Sequence, residues 1–230
     1  MEKIHIREES TVMELKNKVI NFLGDSITEG CGTSGPDARF SHLIEYRCGL
    51  KRANNYGIGG TRIARQTRPY NPVYDQNDYC KRCADMDKEA DINVVFGGTN
   101  DFGHGDAPLG TPDDRTPDTF WGACHYMMRT MIETYPDAVT VICTPLHRMN
   151  EDSLRGDNKP EDVANLATYV GIIKTVAEYY SLPVLDLWSM SGLQPHVWPI
   201  QARYMPDGLH PNDAGHSLLA DRIIGFLSAL

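Results

Sequence analysis

Short apolar runs alternate with longer amphipathic stretches along this chain. Residues 19–23, 92–96, 139–143 and 184–187 are brief, rich in β-branched side chains, and mostly end at Gly, Pro or Asp. Continuous apolar runs of this length fit strands buried on both faces of a parallel sheet. A weaker strand is expected over residues 52–56. Between these runs, apolar residues recur at steps of three and four, the helical period. Residues 119–135 carry Phe120, Cys124, Met127, Met128, Met131, Ile132 and Tyr135 in that pattern. Leu166, Val170, Ile173, Ala177 and Tyr180 form a second set, closed by Pro183. A last helix is predicted to begin near Asn212, a good N-cap, with Leu219, Ile223 and Phe226 on one stripe. A shorter one holds Phe40, Leu43 and Ile44.

Alternating strand and helix predicts a three-layer α/β/α sandwich: a central parallel sheet with right-handed crossovers and helices on both faces. Such sheets bind ligands beyond the carboxyl ends of their strands. Function is therefore sought after Leu23, Tyr56, Phe96 and Cys143. The loops 61–78, 102–118 and 147–160 are rich in Gly, Pro, Asn and Asp and are expected at the surface, with at least the first two overhanging the site. No internal repeat, low-complexity tract or linker interrupts the pattern, so residues 1–230 read as one domain.

Composition narrows the function classes. With 41% hydrophobic and 23% charged residues, the chain is composed like a globular protein. A net charge of −9 argues against a nucleic-acid partner, which demands a clustered basic surface, and against anionic membranes. The opening eighteen residues mix both charge signs without a continuous apolar stretch, and no run is long enough to span a bilayer. The six cysteines are scattered. Cys80-Lys81-Arg82-Cys83 lacks the second pair of a zinc site, and no apolar strand leads into it as a redox motif would require. All six are read as reduced thiols, and the expected location is cytoplasmic.

Four segments carry candidate chemistry. The first strand runs into Gly24-Asp25-Ser26, which presents a serine at the ligand edge of the sheet. The competing reading is a capping box, Ser26-Ile27-Thr28-Glu29, weakened because Gly30 and Gly32 make a poor first turn. The segment is not the G-x-S-x-G elbow either, since Thr28 takes the last position. After the second strand comes Asn55-Tyr56-Gly57-Ile58-Gly59-Gly60-Thr61, where a glycine N–H can face a ligand; a dinucleotide loop would need a third spaced glycine and a helix start. After the third come Gly97-Gly98-Thr99-Asn100-Asp101, where an Asn amide can donate to an oxyanion, the plainer reading being an Asn-Asp turn. Near the C-terminus, Pro211 disfavours helix at His210, so Asp207-Gly208-Leu209-His210 forms a turn in which the carboxylate can accept from imidazole Nδ1. The ladder Asp207, His210, Asp213, His216 suggests a metal site, but the last two belong to the following helix. No metal and no cofactor are called for.

In these four blocks, in this order, the chain resembles the SGNH hydrolases, the GDSL esterase/lipase family. The resemblance implies a flavodoxin-like fold and a serine esterase acting through an acyl-serine. It assigns Ser26 as nucleophile, His210 as general base and acid, and Asp207 as its orienting carboxylate. It also implies an oxyanion hole of the Ser26 N–H, the Gly60 N–H and the Asn100 side chain, with Gly59 and Gly60 both open for the second donor. The partner is a small-molecule ester, and short acyl groups on a polar carrier such as an acetylated sugar are favoured, because no long apolar lid is visible. Asp25, Arg62, His147 and Arg148 are candidate substrate-binding residues, with Arg65 and Arg68 close by. Alternatives are acyl transfer to an alcohol, a lipase-type activity at the same site, and a non-catalytic carbohydrate-binding module using Trp188, Trp198 and Tyr204. A flavodoxin-like nucleotide binder is disfavoured by the negative charge and the incomplete glycine fingerprint. Oligomeric state is not written in the sequence.

Overall fold

The four apolar runs and the weaker strand become β1 (Val19–Gly24), β2 (Arg52–Gly57), β3 (Ile92–Phe96), β4 (Val139–Cys143) and β5 (Val184–Leu185), which pair in the order β2-β1-β3-β4-β5. Every pairing is parallel. The computed structural model describes residues 13–68 and 71–230. Most of the charged opening segment and two positions of the 61–78 loop lie outside the described residues. Each residue of β1 and β3 is buried, as runs covered on both faces must be. β5 is shorter than its apolar run because the Asp186 carboxylate caps the Ser189 N–H and opens a helix at Leu187–Met190.

Alternation along the strands splits the core in two. Leu23, Val95 and Ile142 pack on one face beneath the helices Phe120–Thr134 and Leu166–Tyr179. Ile20, Phe22, Ile92, Val94 and Val141 face the other way, under Phe40–Cys48 and Asp213–Ser228. The expected cap at Asn212 forms, accepting from Gly215 N, and Thr119 likewise accepts from Gly122 N. Ile132, assigned to the apolar stripe by its spacing, is 37% exposed, because it sits at that stripe's outer margin.

One polar residue breaks the apolar run of β1. Asn21 lies in register with Asn54 of β2 and Asn93 of β3. Its Nδ2 donates to Asn93 Oδ1 at 2.8 Å, and its Oδ1 accepts from Asn54 Nδ2 at 2.9 Å. The ladder satisfies both ends of the Asn21 amide, which would be costly to bury alone, while Asn93 Nδ2 is left buried without a partner.

The three long loops are less superficial than their composition suggests. Thr61, Arg62, Ile63, Ala64 and Gln66 are buried, as are Glu151 and Lys159. The Asp101 carboxylate accepts from both Ile63 N and Ala64 N at 2.9 Å and so draws the first loop inward. A short helix at Pro72–Asp75 interrupts it, and another at Tyr79–Arg82 follows it. The second of these, capped by Asp78, carries Cys80 and leads into Cys83, so the C-x-x-C pair does begin a helix. Both thiols are buried, and burial pushes Cys83 up to about 12, which disfavours the thiolate that redox chemistry needs. All six cysteines are free thiols. No helix among the described residues is long and apolar enough to cross a membrane.

Candidate active site

At the carboxyl end of β1 the chain turns into a single helical turn, Ser26–Glu29. The cap is Asp25, not Ser26: its side chain accepts from Ile27 N, which places Ser26 at the first helical position. There a backbone N–H has no intrahelical partner. The turn closes at Gly30, whose φ of 104° lies in the left-handed region. So a one-turn helix exists where the capping-box reading looked for one, but the serine hydroxyl is left free for other work.

Two paired glycines let this turn sit tightly on the sheet. Gly24 and Gly57 face each other across β1 and β2. A Cβ on Gly57 would fall 2.1 Å from Glu29 N. Asn55 then clamps the turn, its Nδ2 donating to Thr28 O at 2.6 Å while its Oδ1 accepts from Gly57 N. From below, Arg82 donates to Gly24 O at 2.7 Å, to Thr61 Oγ1 at 2.9 Å, and to Tyr56 O.

Ser26 Oγ lies 3.0 Å from His210 Nε2, across 184 positions of sequence. The other ring nitrogen, Nδ1, lies 2.7 Å from Asp207 Oδ2. Asp207 Oδ1 accepts from Leu209 N and His210 N, so one carboxylate holds both the turn and the ring. Partial burial opposes ionisation of Asp207, but the bonds from His210 and Leu209 outweigh it and hold its carboxyl below the usual range. An ionised acceptor at Nδ1 fixes the imidazole tautomer and leaves Nε2 able to take a hydroxyl proton.

Three backbone or side-chain donors belong to residues that line one cleft, Ser26 included. The Ser26 N–H stands at the helix start. On the second loop, Gly59 N donates to Glu29 Oε2 at 2.7 Å, whereas the Gly60 N–H has no partner among the described residues. Gly60 has φ 73°, a conformation natural to glycine. From the third loop, Asn100 Nδ2 gives one proton to Thr61 O at 3.0 Å and retains a second. The asparagine belongs to a one-turn helix, Thr99–Gly103, rather than to a simple turn. Ser26, Gly60, Asn100 and His210 line one cleft of about 540 Å³. Tyr74, His104 and Asp157 complete its rim, one from each long loop, and also border an adjoining cavity of about 480 Å³.

The remaining candidates divide. Asp25 is buried beneath Ser26 and serves as its cap; burial lifts its carboxyl to about 6 against the Ile27 N–H and the charges of His210 and Arg82. Arg62 borders the adjoining cavity, but it is only 4% exposed, ion-paired with Asp75 and hydrogen-bonded to His104. His147 lies outside the cleft, held by Glu151 at 2.9 Å and against the Trp188 ring. Arg148 is buried over Phe102 and pairs with Asp157 at 2.5 Å, so it reaches the rim only through that carboxylate. Of the aromatics considered for sugar stacking, Trp188, Trp198 and Tyr204 do not line the cleft; Val73 and Tyr74 do. Asp213 turns away to Ser34, and His216 is buried in a stack with Phe40, so neither joins Asp207 and His210. Sequence reading named Glu29 only as the end of a capping box and passed over His104. Only the four-residue step from Asn100 to His104, one turn of helix, hinted at the latter.

The sheet order and the helices on both its faces define a class, the three-layer α/β/α folds. Comparison with known proteins makes it specific. The GDSL-like Lipase/Acylhydrolase family profile matches residues 22–218. One crystal structure shares 33% identity, covering 95% of this chain and 99% of its own, with a TM-score of 0.82. A protein from Lactobacillus plantarum shares 27% identity over 92% of this chain and 97% of its own, with a TM-score of 0.78. A two-domain esterase active on acetylated mannans shares the fold at 22% identity and TM-score 0.62, covering 91% of this chain and 48% of its own. No curated protein sequence matches the chain. This chain belongs to the GDSL-like Lipase/Acylhydrolase family and is an ester hydrolase of the SGNH type.

Proposed function

We propose that this enzyme hydrolyses short-chain acyl esters of polar alcohols, O-acetylated carbohydrates among them, through an acyl-serine at Ser26. The observation carrying the mechanism is the unbroken chain from Ser26 Oγ through the His210 ring to Asp207, at 3.0 and 2.7 Å. Ser26 Oγ attacks the ester carbonyl carbon while His210 Nε2 takes its proton. The carbonyl oxygen becomes an oxyanion that accepts from the Ser26 N–H, the Gly60 N–H and Asn100 Nδ2. The carbon–oxygen bond to the alcohol breaks, and His210 returns the proton to the departing alkoxide. Water then attacks the acyl-serine with His210 again as base, releasing the carboxylic acid and restoring the hydroxyl. A positioned base of this kind contributes about 10²–10⁴-fold.

The lining supports a polar substrate. The cavity beside the cleft is bordered by Gln66, Arg68, Asp106 and Asn158, a poor surface for a fatty chain and a good one for hydroxyl groups. Tyr74 and Val73 overhang the junction and offer an apolar face to a sugar ring. The structurally similar mannan esterase acts on such acetylated polymers. Nitrophenyl esters from acetyl to palmitoyl, assayed beside acetylated oligosaccharides, test the reading. Highest kcat/KM on acetyl esters, and none in Ser26→Ala, is expected. Preference for palmitoyl, or full activity in Ser26→Ala, would overturn it.

A further inference from the structure

A second line of hydrogen bonds, separate from the one through Asp207, runs into the site. Arg62 pairs with Asp75 through Nη2 and places Nη1 2.8 Å from His104 Nδ1. His104 Nε2 lies 3.2 Å from Asn100 Oδ1. The order of donors along this line is forced. A guanidinium has no acceptor, so His104 Nδ1 must be the unprotonated nitrogen. The neutral ring then carries its proton on Nε2 and donates it to Asn100, which must present its oxygen there. The amide nitrogen is thereby turned to the Thr61 carbonyl and the cleft. A flipped Asn100 would set N–H against N–H at His104 and oxygen against oxygen at Thr61.

We propose that Arg62 and His104 are positioning residues, which lock the Asn100 amide with its N–H end toward the nucleophile. The inference rests on the reading of Asn100 as an oxyanion donor. An oxyanion donor is effective only if it is oriented before charge develops. Asn100 alone has two nearly isosteric orientations, and only one of them offers a proton to the reacting oxygen. The arginine removes that ambiguity at a distance, with the imidazole as the connector. Desolvation and the Arg62 charge both hold the His104 ring neutral, lowering it to about 4, which keeps the connector in the required form at neutral pH. His104 itself is exposed at its outer edge, so its replacement leaves no hole in either core.

Two measurements test this. The first is a double-mutant cycle in kcat and KM for hydrolysis of nitrophenyl acetate by wild type, Asn100→Ala, His104→Leu and the double variant. His104→Leu is expected to lower kcat about tenfold with little change in KM, a fraction of the roughly 10²–10³ of a whole oxyanion donor. In the Asn100→Ala background the same change should cost less than about twofold, because the amide it orients is gone. His104→Gln, which can accept from Arg62 and donate to Asn100, should recover most of the loss. An equal loss in both backgrounds, or no loss from His104→Leu, would overturn the relay. Full turnover in Asn100→Ala would instead sink the oxyanion reading beneath it. The second measurement uses wild-type protein alone: two-bond proton–nitrogen NMR spectra of the labelled His104 ring at pH 7. The proton is expected on Nε2, and a proton on Nδ1 refutes the proposal.

Discussion

The Gly59 amide donates to the Glu29 carboxylate at 2.7 Å, and this bond separates the roles of two adjacent glycines. With Gly59 N occupied by the Ser26–Glu29 turn, the N–H of Gly60, a residue that lines the cleft, is left without a partner among the described residues. The bond also ties the loop after β2 to the turn that carries Ser26.

The two glycines should therefore respond differently to alanine. At Gly60 the φ of 73° costs a non-glycine residue about 1–2 kcal/mol, and a Cβ would lie 2.8 Å from the Tyr74 ring. Gly60→Ala is expected to lose on the order of 10²–10³ in kcat, the worth of one displaced donor. At Gly59 the nearest obstacle is the movable end of Glu29, so Gly59→Ala should stay within about tenfold of wild type, less than the loss of a donor. Steady-state kinetics of both variants decide it, and equal losses contradict the assignment.

Asp207→Asn separates geometry from charge. An asparagine can still accept from Leu209 and His210 N–H through Oδ1, so the turn survives. Its amide, however, donates toward ring Nδ1, which forces the proton onto Nε2 and turns His210 from a base into a donor. A fall in kcat of about 10²–10⁴ with an unchanged melting temperature is expected. Retention of wild-type kcat at pH 7 would remove Asp207 from the mechanism.

Gly57→Ala probes the seat of the turn that carries Ser26. The added Cβ would meet backbone, Glu29 N at 2.1 Å, and no side-chain rotation relieves that clash. Overpacking of this kind costs about 1–3 kcal/mol or more. A lower melting temperature with reduced turnover is expected; a variant as stable and active as wild type would show that the turn does not depend on this contact.

Asp25→Asn should stabilise the protein, and only above acid pH. The carboxyl is lifted from 3.8 to about 6 in the folded state, mainly by burial, so the native form holds its proton more tightly than the unfolded chain does. That favourable contribution is complete below pH 3.8 and lost as pH rises through about 6. Above this window the ionised group costs up to about 3 kcal/mol relative to a neutral isostere. Melting curves should show Asp25→Asn above wild type at pH 8, with the gap closing toward pH 4. Asp101, similarly lifted, is present in both proteins, and its charge is one of the smaller contributions that raise Asp25. A pH-independent gap would refute the assignment.

Much of this molecule could be read from local pattern. Continuous apolar runs marked β1, β3 and β4 because central parallel strands are covered on both faces, which is a property of the residues themselves. The long helices were legible for the same reason, their 3.6-residue period recording which side faces the core. The one-turn helices at Ser26–Glu29 and Thr99–Gly103 were not, since four or five residues carry no period and their caps come from the preceding loop. Composition misled for residues 61–66, where Asp101 supplies the acceptors that allow a polar segment to be buried.

By itself, the sequence determined which residue types stand at the ends of the strands: a serine, a glycine loop, an asparagine and an Asp–His turn, each recognisable from its neighbours. Tertiary structure alone decided which of them meet. Only the folded sheet brings positions 26 and 210 within a hydrogen bond, occupies Gly59 while leaving Gly60, and diverts Arg62 and Arg148 into internal ion pairs. The physical reason is that spacing along a chain encodes burial and local conformation, whereas the partner of a polar group is fixed by whichever donor or acceptor the packed elements carry to it.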